Sequence, residues 1–198
     1  MSDSIKHECG IAFIRLLKPI DYYQKKYGSM FYGLNKMHIL MEKQHNRGQD
    51  GAGLASIKLY PEPGNVYINR VRSNDAAPIR DVFQQIDAKI NAVLSKKPEL
   101  MQNPQALKRE VEFTGELFLG HLRYGTFGKN IENVHPVSRE NNWMTRSLVL
   151  AGNFNLTNID ELFGRLIDLG QYPPAKTDTV TILERIGHFL DRENDDKY

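Results

Sequence analysis

The chain has a single cysteine, Cys9, and Gly10 follows it directly. One thiol cannot form an internal disulfide, and a metal site built on several thiolates is excluded as well, so no metal is expected. An inert buried thiol is the ordinary alternative for a lone cysteine. A cysteine thiolate is also a strong nucleophile, and Cys9 is the candidate for covalent attack on a substrate.

Four short stretches place polar residues between glycines at the ends of apolar runs. They are Cys9–Gly10, Gln44–Gly53, Gly120–Gly128 and Ala151–Asn158. Glycine permits positive φ and close approach of the backbone to a ligand, and loops held by a rigid scaffold are where binding groups usually lie. One such stretch is weak evidence because turns also favour Gly, Asn and Asp. Four of them, with one nucleophile, predict a functional site.

The polar residues in and near these stretches indicate what that site would bind. Asn153 offers a side-chain NH₂ to an oxyanion, beside a neighbouring backbone N–H. Arg123 offers a two-pronged donor to a carboxylate, and Asp178 offers a counter-charge to an ammonium. A free α-amine titrates near ~8 and would serve as a base if the cysteine were the first residue. Together these groups suit an amino acid with a cleavable side-chain amide, and glutamine fits.

Hydrophobic periodicity predicts the elements that position these residues. Strands are expected at Ile11–Leu16, Leu54–Leu59, Val66–Val71, Leu117–His121 and Leu148–Ala151. Apolar residues at helical spacing predict four helices, which carry Met30 to Met41, Ile79 to Leu94, Leu162 to Leu166 and Ile182 to Leu190. The third helix is expected to begin with a capping box of Asn158 and Glu161 and to stop at Gly170. Two polar segments, Lys18–Ser29 and Lys96–Glu112, are expected to be loops or insertions.

Composition predicts a soluble cytoplasmic protein. The 198 residues are 40% hydrophobic, enough for one domain or two at most. The net charge is +2, with no long basic run, so nucleic acid is not an expected partner. No signal peptide and no membrane span are apparent. Because the chain ends in a charged run directly after an apolar helix, it is expected to be the front part of a longer protein.

Five ordered motifs between residue 9 and about residue 190 resemble those of class II glutamine amidotransferase domains, which are N-terminal-nucleophile hydrolases. The motifs are CGIA, QHNRGQDGAG, GHLRYGT, GNFNLTN and TDTVTIL. Within that group the chain most resembles the amidophosphoribosyltransferases of purine synthesis. Gln49 carries this distinction, since glucosamine-6-phosphate synthases usually have Tyr there.

The resemblance implies three catalytic residues. Cys9 matches the nucleophile that attacks the glutamine amide carbon, and its freed α-amine would shuttle the proton. Asn153 matches the side-chain oxyanion donor. Phe154 stands where the family usually has Gly, and the donor at that position is a backbone N–H that Phe also has.

The resemblance also implies five substrate-binding residues. Arg123 and Thr126 match the residues that hold the α-carboxylate of glutamine, and Asp178 matches the one that binds its α-ammonium. Arg47 and Gly48 match a loop that lines the nucleophile. Gly125 departs from the family pattern, in which Pro is common at that position.

At the level of the whole protein, the resemblance implies an α+β fold, a four-layer αββα sandwich of two antiparallel sheets. Residues 1–8 would be a propeptide, and residues 9–198 an amidotransferase domain that lacks its last strands. The expected activity is glutamine hydrolysis that supplies ammonia for 5-phosphoribosylamine formation. Phosphoribosyl pyrophosphate and magnesium would bind a missing phosphoribosyltransferase domain, with no cofactor in this segment. The full-length protein is expected to form homo-oligomers.

Several alternatives remain open on the sequence alone. The chain would be a non-catalytic regulatory or scaffold domain if it were never processed, or it would belong to another enzyme such as glucosamine-6-phosphate synthase. A cysteine peptidase is disfavoured because the amino-acid clamp suits free glutamine. Arg47 and Asp50 would form an ion pair that braces a turn if they had no role at a site. His121 is expected to be a packed histidine, not a catalytic one.

Overall fold

Two antiparallel sheets, one in each of two units of the chain, organise the fold. The computed structural model describes residues 8–125 and 130–196. The units are Met1–His135 and Pro136–Tyr198. The first holds a four-stranded sheet and the second a two-stranded sheet. Helices accompany both sheets, which confirms the α+β prediction at that level.

The four-stranded sheet has the strand order β1-β4-β2-β3, and its pairs are all antiparallel. Its strands are β1 Gly10–Arg15, β2 Gly51–Ile57, β3 Ile68–Ser73 and β4 Leu117–Arg123. Each of these was predicted, with boundaries that differ by up to three residues. In the register across the three strands nearest the cysteine, Leu122 of β4 pairs with Gly10 on one side and with Ala52 on the other.

Two long helices of the first unit pack against this sheet. Helix α2, Tyr32–Lys43, contacts β1 and β4. Helix α3, Pro78–Leu94, contacts β2 and β3 and begins at a proline, which suits the first turn of a helix. Their predicted apolar stripes are largely buried, with Met37 and Ile86 fully so. These stripes therefore form core, as expected for amphipathic helices.

Both segments predicted as loops or insertions contain helices, so the loop reading was wrong. Lys18–Ser29 holds α1, Ile20–Tyr27, which ends at Gly28 with φ of 76°. The helix is held by its buried Ile20 and by tyrosines that stack across to α2, with Tyr27 and Tyr32 ring centroids 4.4 Å apart. A periodicity search that counts Tyr as polar does not detect such a face.

The second predicted loop, Lys96–Glu112, holds a 3₁₀ turn and the short helix α4, Pro104–Glu110. The Asn103 side chain caps α4 by accepting a hydrogen bond from the Ala106 amide at 3.1 Å. Leu107 is fully buried and anchors the helix. The polar composition concealed three buried apolar residues, Leu100, Leu107 and Val111.

In the second unit, α6, Asp178–Asp195, packs against a small sheet. Its strands are β5 Val137–Arg139, which was not predicted, and β6 Leu148–Leu150. Helix α5, Ile159–Asp168, contacts α6. Arg139 ties the sheet to α6 through bonds to Glu184 at 3.1 Å and Asp191 at 2.6 Å.

The ends of α5 agree only partly with the prediction. Asn158 is at the N-cap position but makes no capping bond, so the expected capping box is not formed. Gly170 has φ of 82°, and the amides of Gly170 and Gln171 bond to the carbonyls of Ile167 and Leu166. This pattern is a Schellman motif, which ends the helix where the glycine was expected to end it.

No helix within residues 8–125 and 130–196 is long and apolar enough to cross a membrane.

Candidate active site

Cys9 lies directly before β1, at one end of the four-stranded sheet. Its thiol is free and half-buried. Gly10 pairs with Leu122, and Arg123, the next residue of β4, pairs with Gly51 of β2. Because the strands are antiparallel, the start of β1, the end of β4 and the start of β2 meet at this end. The register therefore brings the nucleophile and the predicted carboxylate clamp to the same edge.

The Arg47–Gly48 loop approaches this edge through close backbone contact. A Cβ on Gly48 would lie 2.5 Å from the carbonyl carbon of Arg123 and 2.6 Å from its oxygen. Gly48 itself is extended, with φ of −156°, so glycine is needed here for space and not for an unusual dihedral angle. A Cβ on Gly10 would lie 3.3 Å from the Cβ of Arg47. The loop thus contacts both the residue after Cys9 and the backbone of Arg123.

Asp50 fastens the end of β4 with two hydrogen bonds. Its amide donates to the Arg123 carbonyl at 3.0 Å, and its carboxylate accepts from the Gly125 amide at 2.9 Å. An ion pair between Arg47 and Asp50 is not formed in the described part of the chain, so that alternative was wrong. Gly125 supplies the N–H for the second bond. Proline, which is common at this position in the resembled family, has no N–H to donate.

The Arg123 side chain lies beside Gly125, two residues later in the chain. Its guanidinium carbon would lie 3.5 Å from a Cβ placed on Gly125. The side chain is half-buried. Thr126, predicted to share the carboxylate clamp, lies outside the described residues.

In the second unit, the predicted oxyanion donors occupy the loop between β6 and α5. The side chain of Asn153 is exposed, and the ring of Phe154 covers Gly152, where an added Cβ would lie 2.3 Å from the ring. Within the described chain, the non-glycine residues with positive φ are Tyr60 and Phe113, so the Phe154 backbone is in an ordinary conformation. Replacing the family's usual Gly by Phe at this position therefore introduces no strain of that kind.

Asp178 is tied to this same loop. It is the first residue of α6, and one of its carboxylate oxygens accepts a hydrogen bond from the Leu156 amide at 3.2 Å. Thr177 caps the helix by accepting from the Val180 amide at 3.3 Å. The capped helix start and the bond to Leu156 together fix the carboxylate beside the segment that carries Asn153.

The predicted residues therefore form two groups, one in each unit. Cys9, Arg47, Gly48 and Arg123 gather at one end of the sheet in the first unit. Asn153, Phe154 and Asp178 gather around one loop in the second. The positioning role of Asp50 was missed, although the residue lies inside the QHNRGQDGAG motif. Gln44, the first residue of that motif, was also missed; its side-chain amide oxygen would lie 3.0 Å from a Cβ on Gly10.

The remaining candidates do not add chemistry to the site. His121 is buried, and its ring packs against His135 with centroids 4.6 Å apart, which agrees with the expectation of a packed histidine. Within residues 8–125 and 130–196, no three or more His, Cys, Asp or Glu side chains are grouped to hold a metal ion.

Comparison with known proteins finds a likeness among solved structures. No protein-family model matches the chain. No curated protein matches it either. Among solved structures, the chain is similar to glutamine phosphoribosylpyrophosphate amidotransferase from B. subtilis, complexed with ADP and GMP, with a TM-score of 0.43 and 26% sequence identity. The alignment covers 76% of this chain and 24% of that chain, so this chain spans about a quarter of the other protein's length.

Proposed function

We propose that the chain is a class II glutamine amidotransferase domain that hydrolyses glutamine through Cys9. The observation that supports this most directly is the gathering of Cys9, the Arg47–Gly48 loop and Arg123 at one end of a sheet. Three of the five ordered motifs meet there through strand register and backbone contact. An inert thiol would need no such surroundings.

The proposed reaction proceeds through a covalent intermediate. The Cys9 thiolate attacks the side-chain amide carbon of glutamine, and its proton passes to the α-amine of the same residue. The Asn153 NH₂ and the Phe154 N–H stabilise the oxyanion that forms. The C–N bond then breaks, ammonia leaves with the proton from the α-amine, and a γ-glutamyl thioester remains. Water hydrolyses this thioester and releases glutamate and the thiol.

Substrate binding would use charge at both ends of the amino-acid group. The Arg123 guanidinium holds the α-carboxylate as a bidentate donor, with Thr126 as its partner in the clamp. Asp178 holds the α-ammonium. The bond from Leu156 occupies one carboxylate oxygen of Asp178 at 3.2 Å and orients the other. A substrate without a free amine and carboxylate would bind poorly, which disfavours peptides.

The mechanism requires a cut before Cys9. As encoded, the α-nitrogen of Cys9 is an amide, which cannot accept a proton near neutral pH. Attack of the Cys9 thiol on the Glu8 carbonyl would give a thioester that water hydrolyses, which frees the amine and releases Met1–Glu8. These eight residues are therefore proposed to be a propeptide.

The motif QHNRGQDGAG extends the proposal to the amidophosphoribosyltransferases. The ammonia would then react with phosphoribosyl pyrophosphate to give 5-phosphoribosylamine, in a phosphoribosyltransferase domain that also binds magnesium.

The proposal includes a cytoplasmic homo-oligomer and a four-layer sandwich of the N-terminal-nucleophile type. On β1, Ile11 and Phe13 are 48% and 60% exposed, on the strand face opposite the buried Ala12. Such apolar exposure suits a sheet face that a second layer covers.

The test compares the chain starting at Met1 with one prepared to start at Cys9. We expect the second form to release ammonia from glutamine, and intact mass spectrometry to show loss of Met1–Glu8 from any active sample of the first. A diazoketone analogue of glutamine should add one equivalent to Cys9. Full activity with Met1–Glu8 still attached would exclude the amine as base. An inactive and unlabelled form starting at Cys9 would favour the non-catalytic alternative.

A further inference from the structure

The end of the four-stranded sheet opposite Cys9 has a groove of about 810 Å³. Lys58, which lines it, follows the last residue of β2, whereas Gly51 at the other end of β2 pairs with Arg123. Six residue steps of about 3.3 Å separate the two ends of that strand by roughly 20 Å. A molecule in the groove would therefore be too far from Cys9 to be the glutamine that Cys9 attacks.

Lys58 is buried in the wall of this groove, with 5% of its surface exposed. Its ammonium donates one hydrogen bond, to the Arg109 carbonyl, at a long distance of 3.5 Å. Within the described chain, no carboxylate lies within 4.0 Å of this ammonium. A buried charge is normally paired or fully hydrogen-bonded, and Lys58 is neither.

The carboxylates near Lys58 already have partners. The three ion pairs around the groove are Lys97 with Glu110 at 2.5 Å, Lys89 with Glu112 at 2.8 Å, and Lys108 with Glu116. The charged residues that line the groove itself are the cations Lys58, Lys96, Lys97 and Arg109 and the carboxylates Glu110 and Glu112, and Arg109 shares Glu110 at 3.5 Å. Four cations against two carboxylates in the lining leave an excess of two positive charges. The groove therefore has a positive potential centred on a buried ammonium.

We propose that this groove binds a phosphate-bearing small molecule, with Lys58 as the central contact to the phosphate oxygens. A phosphate brings two negative charges and three acceptor oxygens, which matches the excess of charge and the unused donors of Lys58. Val66, Ala92 and Val93 line the same groove and offer apolar contact to the organic part of the molecule. The volume falls within the range of pockets that hold small ligands, about 300–1,000 Å³.

The basic residues at the ends of α3 and α4 have a simpler explanation that Lys58 does not share. Lys96 and Lys97 follow α3, and Lys108 and Arg109 end α4, where cations interact favourably with the helix dipole. Lys58 follows a strand and is buried, so neither helix accounts for it. The proposal therefore makes Lys58 the decisive residue.

The test is isothermal titration of the full chain with inorganic pyrophosphate at constant ionic strength. We expect saturable 1:1 binding and a dissociation constant at least about tenfold weaker for Lys58→Met, because a charge-assisted contact is lost. Lys25→Met, on the exposed face of α1, is the matched control and should bind as the parent does. Absence of saturable binding, or equal binding by Lys58→Met, would overturn the proposal. Equal affinity for citrate would overturn the assignment to phosphate.

Three further measurements keep the outcome decisive. If Lys58→Met does not fold, Lys96→Gln tests the same surface, with an expected loss of about threefold because this lysine is exposed; an unchanged affinity would then reject the site. Pyrophosphate should also raise the Tm of the parent chain. The titration is repeated with Cys9→Ala, whose affinity should be unchanged. The groove can therefore fail without affecting the glutamine proposal, and the reverse also holds.

Discussion

The two ends of the four-stranded sheet gather charged groups in different ways. At the end near Cys9, the backbone sets the arrangement: Gly48 lies against the Arg123 carbonyl, and the Asp50 amide donates to that carbonyl at 3.0 Å. At the end near Lys58, side chains set it, through ion pairs such as Lys97 with Glu110. Near Cys9, the contacts would be broken by any side chain added at Gly48. Near Lys58, the contacts are made by long charged side chains.

This difference determines what each end can do. Backbone contacts fix the groups near Cys9 closely, as covalent catalysis requires. The more exposed ion pairs, Lys89 with Glu112 and Lys97 with Glu110, cost little to rearrange, so the groove end suits binding of an ion more than a reaction. The following predictions test whether the two ends differ in this way.

The largest effect is expected from Cys9→Ala. In chains prepared to start at residue 9, this change should lower kcat for glutamine by at least about a thousandfold, because no other group can form the covalent intermediate. Ammonia release measures it, and Lys25→Met should retain the parent rate. More than a tenth of the parent rate in the alanine variant would show that the chemistry does not depend on this end of the sheet.

At the opposite end, Glu116→Ala should cost stability without affecting glutamine binding. The Glu116 carboxylate accepts from Lys108 and, at 2.8 Å, from the Leu59 amide, and both side chains of the ion pair are at most 16% exposed. Lys108 would keep its hydrogen bond to the Leu59 carbonyl at 2.7 Å but lose its counter-charge, which should lower the free energy of unfolding by about 3 kcal/mol. Urea denaturation measures this, with the exposed Glu99→Ala as control, expected within about 0.5 kcal/mol of the parent. A changed KM for glutamine would contradict the independence of the two ends.

Much of the first unit could be predicted because its signals are local. The apolar stripes of α2 and α3 and the strands between them follow from periodicity. The gathering of Cys9, Gly48 and Arg123 follows from short motifs at strand ends. The tyrosine-rich helix α1 could not be predicted by periodicity, since Tyr27 and Tyr32 stack across two helices and contribute little to an apolar face.

The groove could not be predicted because its residues lie far apart in the chain. Lys58 and Glu112 belong to separate segments that the fold brings to one surface, and nothing beside Lys58 in the sequence marks it as buried. Strand β5 was missed for a similar reason. Three residues, Val137–Arg139, give no reliable period, and their pairing with β6 depends on a distant segment.

Gly48→Ala tests the backbone contact near Cys9. The added methyl group would overlap the Arg123 carbonyl, with contacts of 2.5 and 2.6 Å, so the loop must move. We expect the free energy of unfolding to fall by about 2 kcal/mol and the KM for glutamine to rise. Gly164→Ala is the matched control, because it adds the same methyl group to open space within α5 and should stabilise by about 0.5–1 kcal/mol. Equal effects of the two changes would show that Gly48 is not under steric constraint.

Arg123→Lys should have a smaller and more selective effect. Lysine keeps the charge but loses the bidentate donor, so we expect KM for glutamine to rise about tenfold, with kcat little changed. Steady-state kinetics measure both parameters. Arg15→Lys, at the groove end of β1, is the control and should leave both unchanged. A fall in kcat with an unchanged KM would place Arg123 in the chemical step and not in substrate binding.

The smallest effect is expected from Lys58→Met, and it should depend on pH. Burial lowers the pKa of Lys58 below its ordinary value of 10.5, an effect that Lys108 reinforces and Glu112 and Glu116 oppose. Between the folded-state pKa and 10.5, the folded chain holds fewer protons at this site than the unfolded chain. The free energy of unfolding of the parent therefore rises with pH in that window. Methionine has no proton to lose there.

Replacing the buried ammonium with an apolar group of similar length should raise the free energy of unfolding by about 1 kcal/mol at pH 7. This advantage should shrink as the pH approaches 10.5, because the parent then folds with a neutral Lys58. Urea denaturation of both proteins at pH 7, 9 and 10 measures the difference, in which most other titrating groups cancel. Lys25→Met should show no such trend. An advantage that grows with pH would mean that the Lys58 charge stabilises the fold, and the groove would then already contain the counter-charge that the proposed phosphate is meant to supply.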